Sequence, residues 1–271
     1  MDSLLYLISF LVFGFELNNI TTYELPLNER VRLLLRLEQL FRQIDHFMLG
    51  TTVWDSRAVI DNLLDIQAIF SRTDVKSELL KELDRHAGIL TRIATNHGVD
   101  KPKLSETISE LQKTADQLRE SSGKAAFLMM ECDLLKSISQ RSTIPGGTCA
   151  FDLPTFHFWL QQPDAVRKGD LESWTNPFRA TQKAVRLVLK FIRESAFSSN
   201  ECAIGGFYQQ TLDQNQSFQL VRVSIDRDAP YFAEISGGKH RYTIRFMKMS
   251  MCDRPKQAEN DVNFKLTRCI L

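Results

Sequence analysis

Little in this sequence supports a disulfide framework, a metal centre or a membrane span. Its 5 cysteines, Cys132, Cys149, Cys202, Cys252 and Cys269, are odd in number, scattered, and never spaced as C-x-x-C. That pattern argues against a disulfide scaffold and a structural zinc site and fits a reducing cytosol. The 5 histidines, His46, His86, His97, His157 and His240, form no H-x-x-x-H and no Cys/His cluster, so metal ligation has no local support. No cofactor is expected. Charge of one sign is lacking too: Lys plus Arg number 34 against 33 acids, a formal net charge of +1. No global field draws the molecule to nucleic acid or to a membrane, and electrostatic recognition must be local.

Long apolar runs are nearly absent. The one candidate, "LLYLISFLVFGF" from Leu4 to Phe15, is too short for the roughly 20 residues that a spanning helix needs. It has Asp2 where a signal peptide carries basic residues, and no A-x-A-like site follows before Glu16 and Asn18. Residues 1–20 are read as an extension outside the fold, against a weak interfacial anchor or an uncleaved targeting segment.

What is present is ordinary globular material: 271 residues, 43% hydrophobic and 25% charged, more than one compact core usually holds. The period of the apolar residues then divides the chain. From Leu27 to about Ala196 it is helical. Asn28 is a candidate cap, and Val31, Leu34, Leu37, Phe41, Ile44 and Met48 recur at helical spacing, while Arg32 and Arg36 share another face. Further helices are predicted over Asp55–Phe70, Val75–Asn96, Leu104–Glu120 and Ala125–Arg141, with a break at Gly98 and Pro102. Beyond Pro163, Val185, Leu189 and Ile192 mark another helix. After it, "GGFYQQTL", "SFQLVRVSID", "PYFAEIS", "HRYTIRFMKMS" and "VNFKLTRCI" read as about five strands, with "DRPKQAEND" between Asp253 and Asp261 as a mobile polar loop. The fold class is α+β, an N-terminal multi-helix domain at 21–197 followed by a small C-terminal antiparallel β-domain at 198–271.

Two stretches carry candidate chemistry. "STIPGGTCAFDLPTFHFWLQQP", Ser142 to Pro163, gathers Cys149, Asp152 and His157. No strand precedes its glycine turn and no G-x-S-x-G is present, so a nucleophile elbow is missing. Asp152 reads as the cap of a short helix through Pro154 and Trp159, with His157 structural or on a binding surface. In "KHRYTIRFMKM", alternation sends Tyr242, Ile244 and Phe246 to one face and Arg241, Thr243 and Arg245 to the other, with no acid in the stretch. Gly237-Gly238-Lys239 lacks phosphate-loop spacing and reads as a hairpin turn.

Taken in order, "YELPLNERVRLLLRLE", "ELLKELDR", "QRSTIPGGTCAFDLPTFHFWL", "GFYQQ" and "ISGGKHRYTIRFM" resemble the ZapD family of Z-ring-associated division proteins, from about Thr22 to the C-terminus. The resemblance implies a cytoplasmic, non-enzymatic homodimer at the midcell division site, with a helical and a β-domain. It implies that the chain binds the acidic C-terminal tail of the tubulin-like GTPase FtsZ and bundles FtsZ protofilaments. Basic positions of the family's central groove match Arg32, His157, Arg241 and Arg245, with Arg36 a further basic match. Another groove arginine is replaced near Asp133. Three other readings stay open beside this one. They are a hydrolase using Cys149 and His157, a nucleic-acid binder disfavoured by near-neutral charge, and a structural homodimer whose arginines meet across subunits or take another acidic peptide. Neither a nucleic-acid partner nor integral membrane contact is expected.

Overall fold

The computed structural model describes residues 19–93, 101–121, 131–213, 216–238, 240–250 and 253–270. The apolar lead and the glycine at 98 lie outside these residues. In chain order the elements are β1 (Ile20–Pro26), α1 (Glu29–Phe47), α2 (Val53–Phe70), α3 (Val75–Ile93), α4 (Lys101–Glu120), α5 (Asp133–Arg141), α6 (Pro154–Leu160) and α7 (Asp164–Thr175). A single 3-10 turn (Asn176–Phe178) leads into α8 (Arg179–Glu194). Then come β2 (Ala196–Ala203), β3 (Phe207–Thr211), β4 (Phe218–Asp226), β5 (Tyr231–Gly237), β6 (Arg241–Lys248), β7 (Lys256–Gln257) and β8 (Val262–Ile270). Helices followed by antiparallel sheets make the fold α+β, as the change of period predicts.

Two compact units divide the chain: residues up to Leu33 with those from Leu189 onward, and Leu34–Val188. Both α1 and α8 have residues in each. In the helical unit, the 3.6-residue period buries Leu37 and Phe41 of α1, Val59, Ile60, Leu63 and Ile66 of α2, Leu79 and Leu83 of α3, and Leu111 and Leu118 of α4. Each such side chain contributes about 1.5 to 3 kcal/mol when fully buried. Thr52 and Asp55 form a reciprocal capping box that starts α2. On α3, Lys76 Nζ donates to the carbonyls of Arg119 and Ser121 at 2.8 and 2.7 Å, supplying the cation that the end of α4 favours. Pro102 sits in the first turn of α4, where its missing N–H costs nothing, so it opens this helix instead of marking a break. The helix expected from Ala125 begins, within the described residues, at Asp133.

A buried cation joins three segments of this unit. Arg167, only 6% exposed, donates Nε–H to Ser56 Oγ at 3.1 Å and Nη1–H to the carbonyls of Leu160 and Gln162 at 3.2 and 2.5 Å. Its Nη2 donates to the Thr51 carbonyl at 2.6 Å. Four neutral acceptors, with the Asp164 carboxylate 3.9 Å from Nη2, thus satisfy a charge that would be costly if left bare.

The other unit is two antiparallel sheets sharing one core. Their strand orders are β1-β4-β8-β2 and β3-β6-β5, with β7 pairing to β6 beyond the end of β3. Alternation aims Val221, Val223 and Ile225, with Val262, Phe264 and Leu266, at Tyr242, Ile244 and Phe246 of the second sheet. Three of these strands were not foreseen. Strand β1 pairs residue for residue with β4, β2 with β8, and β7 lies inside the stretch read as a mobile polar loop.

Candidate functional site

Strand β6 follows the sequence reading closely. Tyr242, Ile244 and Phe246 are fully buried, while Arg241 and Arg245 are exposed on the opposite face with Thr243 between them. The strand is held by a polar pin at its buried end. Gln210 Oε1 accepts from Tyr242 Oη at 2.5 Å, Tyr208 Oη at 3.2 Å and Arg268 Nη1 at 3.2 Å. Arg268 also donates to Ser199 Oγ at 3.0 Å. Burial pushes the Tyr242 phenol well above its ordinary range, and burial with the Glu201 charge raises Tyr208, so both phenols stay neutral donors. Fixing the inward residues of β6 fixes where its outward arginines project.

Arg241 and Arg245 stand four residues apart on that face, about 13 Å along an extended strand. Neither has an ion pair among the described residues. Glu234 of β5 is opposite Arg245 in the register, yet it forms no ion pair with it. Arg241 has Thr211 of β3 on one flank. On the other is Gly238, whose N–H donates to the Arg241 carbonyl at 3.0 Å and where an added Cβ would meet open space.

The remaining candidates differ. Arg32 lies in the first turn of α1, in the same unit as β6, with its Nε 3.2 Å from Glu29 Oε1. Its side chain is 42% exposed and the glutamate's 84%, so this i,i+3 pair contributes only about 0.2 to 1 kcal/mol. Asn28 caps the helix as expected, its Oδ1 accepting the Val31 N–H at 2.9 Å, and its amide also donates to Gln219. Arg36 is exposed on α1 and His157 on α6, both in the helical unit. Asp133 opens α5, where a carboxylate suits the helix N-terminus.

The Cys149, Asp152 and His157 window is not arranged for nucleophilic catalysis. The Cys149 thiol donates to Asp152 Oδ2 at 3.4 Å rather than to a ring nitrogen. Asp152, expected as a helix cap, is occupied by that thiol and by Arg141 at 3.7 Å, and α6 starts after Leu153 with no side-chain cap. The loop is pinned by Arg57, which donates to the Thr148 hydroxyl and carbonyl at 3.2 Å each and sits 4.8 Å over the Phe156 ring. Trp159 is buried and donates to Asp170 at 2.8 Å. Among the described residues, no group of three or more His, Cys, Asp or Glu is placed to hold a metal ion, and no helix is long and apolar enough to cross a membrane.

Sequence reasoning did not single out the neighbours of the arginines on the outer sheet face. Phe207, Gln209 and Thr211 share the parity of an outward strand face, but only the strand pairing shows that Phe207 adjoins Arg245 and Thr211 adjoins Arg241, with Gln209 beside Thr243 between them.

Comparison with known proteins gives the family. The ZapD family profile, described as "Cell division protein", matches residues 35–245. A cell division protein ZapD of Methylococcus capsulatus is 46% identical over 255 residues, covering 94% of this chain and 100% of the relative. Proteins of the same description from Aromatoleum aromaticum and Ralstonia pickettii are 35% and 38% identical, covering 93% and 91% of this chain and 98% of each relative. With a profile match that runs from α1 into β6 and relatives that cover more than nine-tenths of its length, this chain belongs to the ZapD family of cell division proteins.

Proposed function

We propose that this chain is a non-enzymatic division adaptor, a cytoplasmic homodimer at midcell that binds the acidic C-terminal tail of FtsZ and bundles FtsZ protofilaments. Arg241 and Arg245 are the principal tail-binding residues, with Arg32, Arg36 and His157 contributing. The observation that carries this reading is the pair of exposed guanidinium groups on one face of β6, held in place by a buried pin and without ion pairs among the described residues.

A flexible anionic tail gains about 1.5 to 3 kcal/mol from each shielded charge-assisted hydrogen bond and only about 0.2 to 1 from an exposed pair. One site is therefore weak. Two sites on a dimer, facing a polymer that displays many tails, raise effective binding by roughly 10² to 10⁴, enough to cross-link filaments. The test is co-sedimentation of FtsZ polymers. The combined Arg241→Glu and Arg245→Glu variant is expected to lose bundling with its far-UV spectrum and dimerisation unchanged, and wild-type bundling is expected to weaken above about 0.15 M salt. Undiminished bundling by the variant refutes the site.

A further inference from the structure

The outward face of the second sheet can be followed row by row. Phe207 of β3, Arg245 of β6 and Glu234 of β5 make one row; Gln209, Thr243 and Ser236 make the next; Thr211 and Arg241 make the third. The first row continues past β3 to Ile204, which bridges Phe207 across the Gly205-Gly206 turn. Both glycines have positive φ, and a Cβ on Gly206 would meet the Ala258 carbonyl at 2.6 Å, so the turn is tight by necessity. Ile204 is 68% exposed and Phe207 38%, whereas the next residue, Tyr208, turns inward with its ring 5.3 Å from Phe264.

Isolated exposed apolar residues are common and carry no message. Here two adjoin each other and a guanidinium. Arg245 therefore has unlike flanks: an uncovered apolar shelf on the β3 side and the Glu234 carboxylate on the β5 side. A ligand carboxylate approaching over Glu234 is repelled, while one approaching over the shelf is not.

We infer that Ile204 and Phe207 form an apolar subsite beside Arg245, so that this face recognises an acidic peptide in which a bulky apolar side chain lies one or two residues from the carboxylate held by Arg245. The inference rests on the tail-binding reading and adds to it the kind of tail preferred. Strands in a sheet are about 4.8 Å apart and an extended peptide advances about 3.3 Å per residue, so a carboxylate on Arg245 sets its near neighbours over Phe207. Glu234 sets the side of approach.

Fluorescence anisotropy with two labelled peptides tests this: the FtsZ C-terminal tail, and the same peptide with its bulky apolar residues changed to serine and its charges kept. Wild-type protein is expected to prefer the native tail by about tenfold, the scale of partly burying two apolar side chains. The Ile204→Ser, Phe207→Ser variant is expected to lose that preference while binding the serine peptide as wild type does. Arg245→Ala is expected to weaken both peptides. Three outcomes overturn the inference: no preference by the wild type, a preference retained by the serine variant, or equal weakening of both peptides by it, which marks a structural role only. The first two leave the tail reading standing as long as Arg245→Ala weakens binding. If neither peptide binds wild-type protein, the tail reading itself is wrong and the inference goes with it. The preference of the wild type is decided without any substitution, so misfolding of a variant does not remove the test.

Discussion

Two pairs of arginines in the β-containing unit put one chemical group to opposite uses. Arg193 at the end of α8 and Arg222 on β4 converge on one carboxylate. Arg193 grips both oxygens of Glu24 at 2.9 Å and Arg222 takes Oε1 at 2.9 Å, with all three side chains between 19% and 29% exposed. Arg241 and Arg245 have no such anion within the described residues and stand in water. Side-chain type says nothing about which pair is structural; unused bonding capacity does. A satisfied guanidinium is part of the fold, and an unsatisfied one on a rigid strand is available to a ligand.

The contrast is broken or sharpened by substitutions of decreasing effect on stability. Glu24→Ala strands two partly buried cations and is expected to cost about 2 to 3 kcal/mol, seen as a lower urea midpoint, with tail binding at the outer face of β6 retained. Burial alone would raise the Glu24 carboxyl, but the hydrogen bonds and charges of Arg193 and Arg222 hold it below its ordinary value of 4.5. Its contribution is therefore complete above about pH 4.5 and is lost as pH falls below that value. Glu24→Gln should flatten this acid limb of the thermal midpoint; parallel curves for variant and wild type would show that the clamp is not what acid breaks. Next, Cys149→Ala removes one weak thiol contact to Asp152 and should cost under about 1 kcal/mol with no change in tail binding. Any loss of binding there would return the glycine-loop window to consideration. Last, Arg241→Ala with Arg245→Ala is expected to shift stability by no more than about 0.5 kcal/mol while the anisotropy signal of the tail peptide collapses. A destabilisation comparable to that of Glu24→Ala would mean that these arginines are structural after all.

Where local pattern decides the outcome, it was legible. The cap at Asn28, the apolar stripe of α1 and the alternation of β6 are each set by spacing within one element, and each is as the residues predict. Strands β1 and β2 were missed because their signal is polar. Thr22 pairs its hydroxyl with Ser224 at 2.9 Å and Ser198 with Thr267 at 2.9 Å, so these edge strands are held by partners far away in the chain. Asp152 was misread for the same reason: the competing claims of Cys149 and Arg141 come from side chains whose placement only the folded loop reveals. Of the five candidate site residues, the strand pattern foretold the outward setting of Arg241 and Arg245. Nothing local placed Arg32 with them in one unit and Arg36 and His157 in the other.

Buried Arg167 ties its segments together by shape as well as by charge. Its planar fork reaches a hydroxyl and three carbonyls on separate segments, a spread that a lysine's three tetrahedral protons at a single nitrogen do not match. Keeping the positive charge there while changing its shape would leave carbonyls starved of donors at the start of α2 and around the turn between α6 and α7. At this position geometry, more than electrostatics, dictates which amino acid the helical unit tolerates.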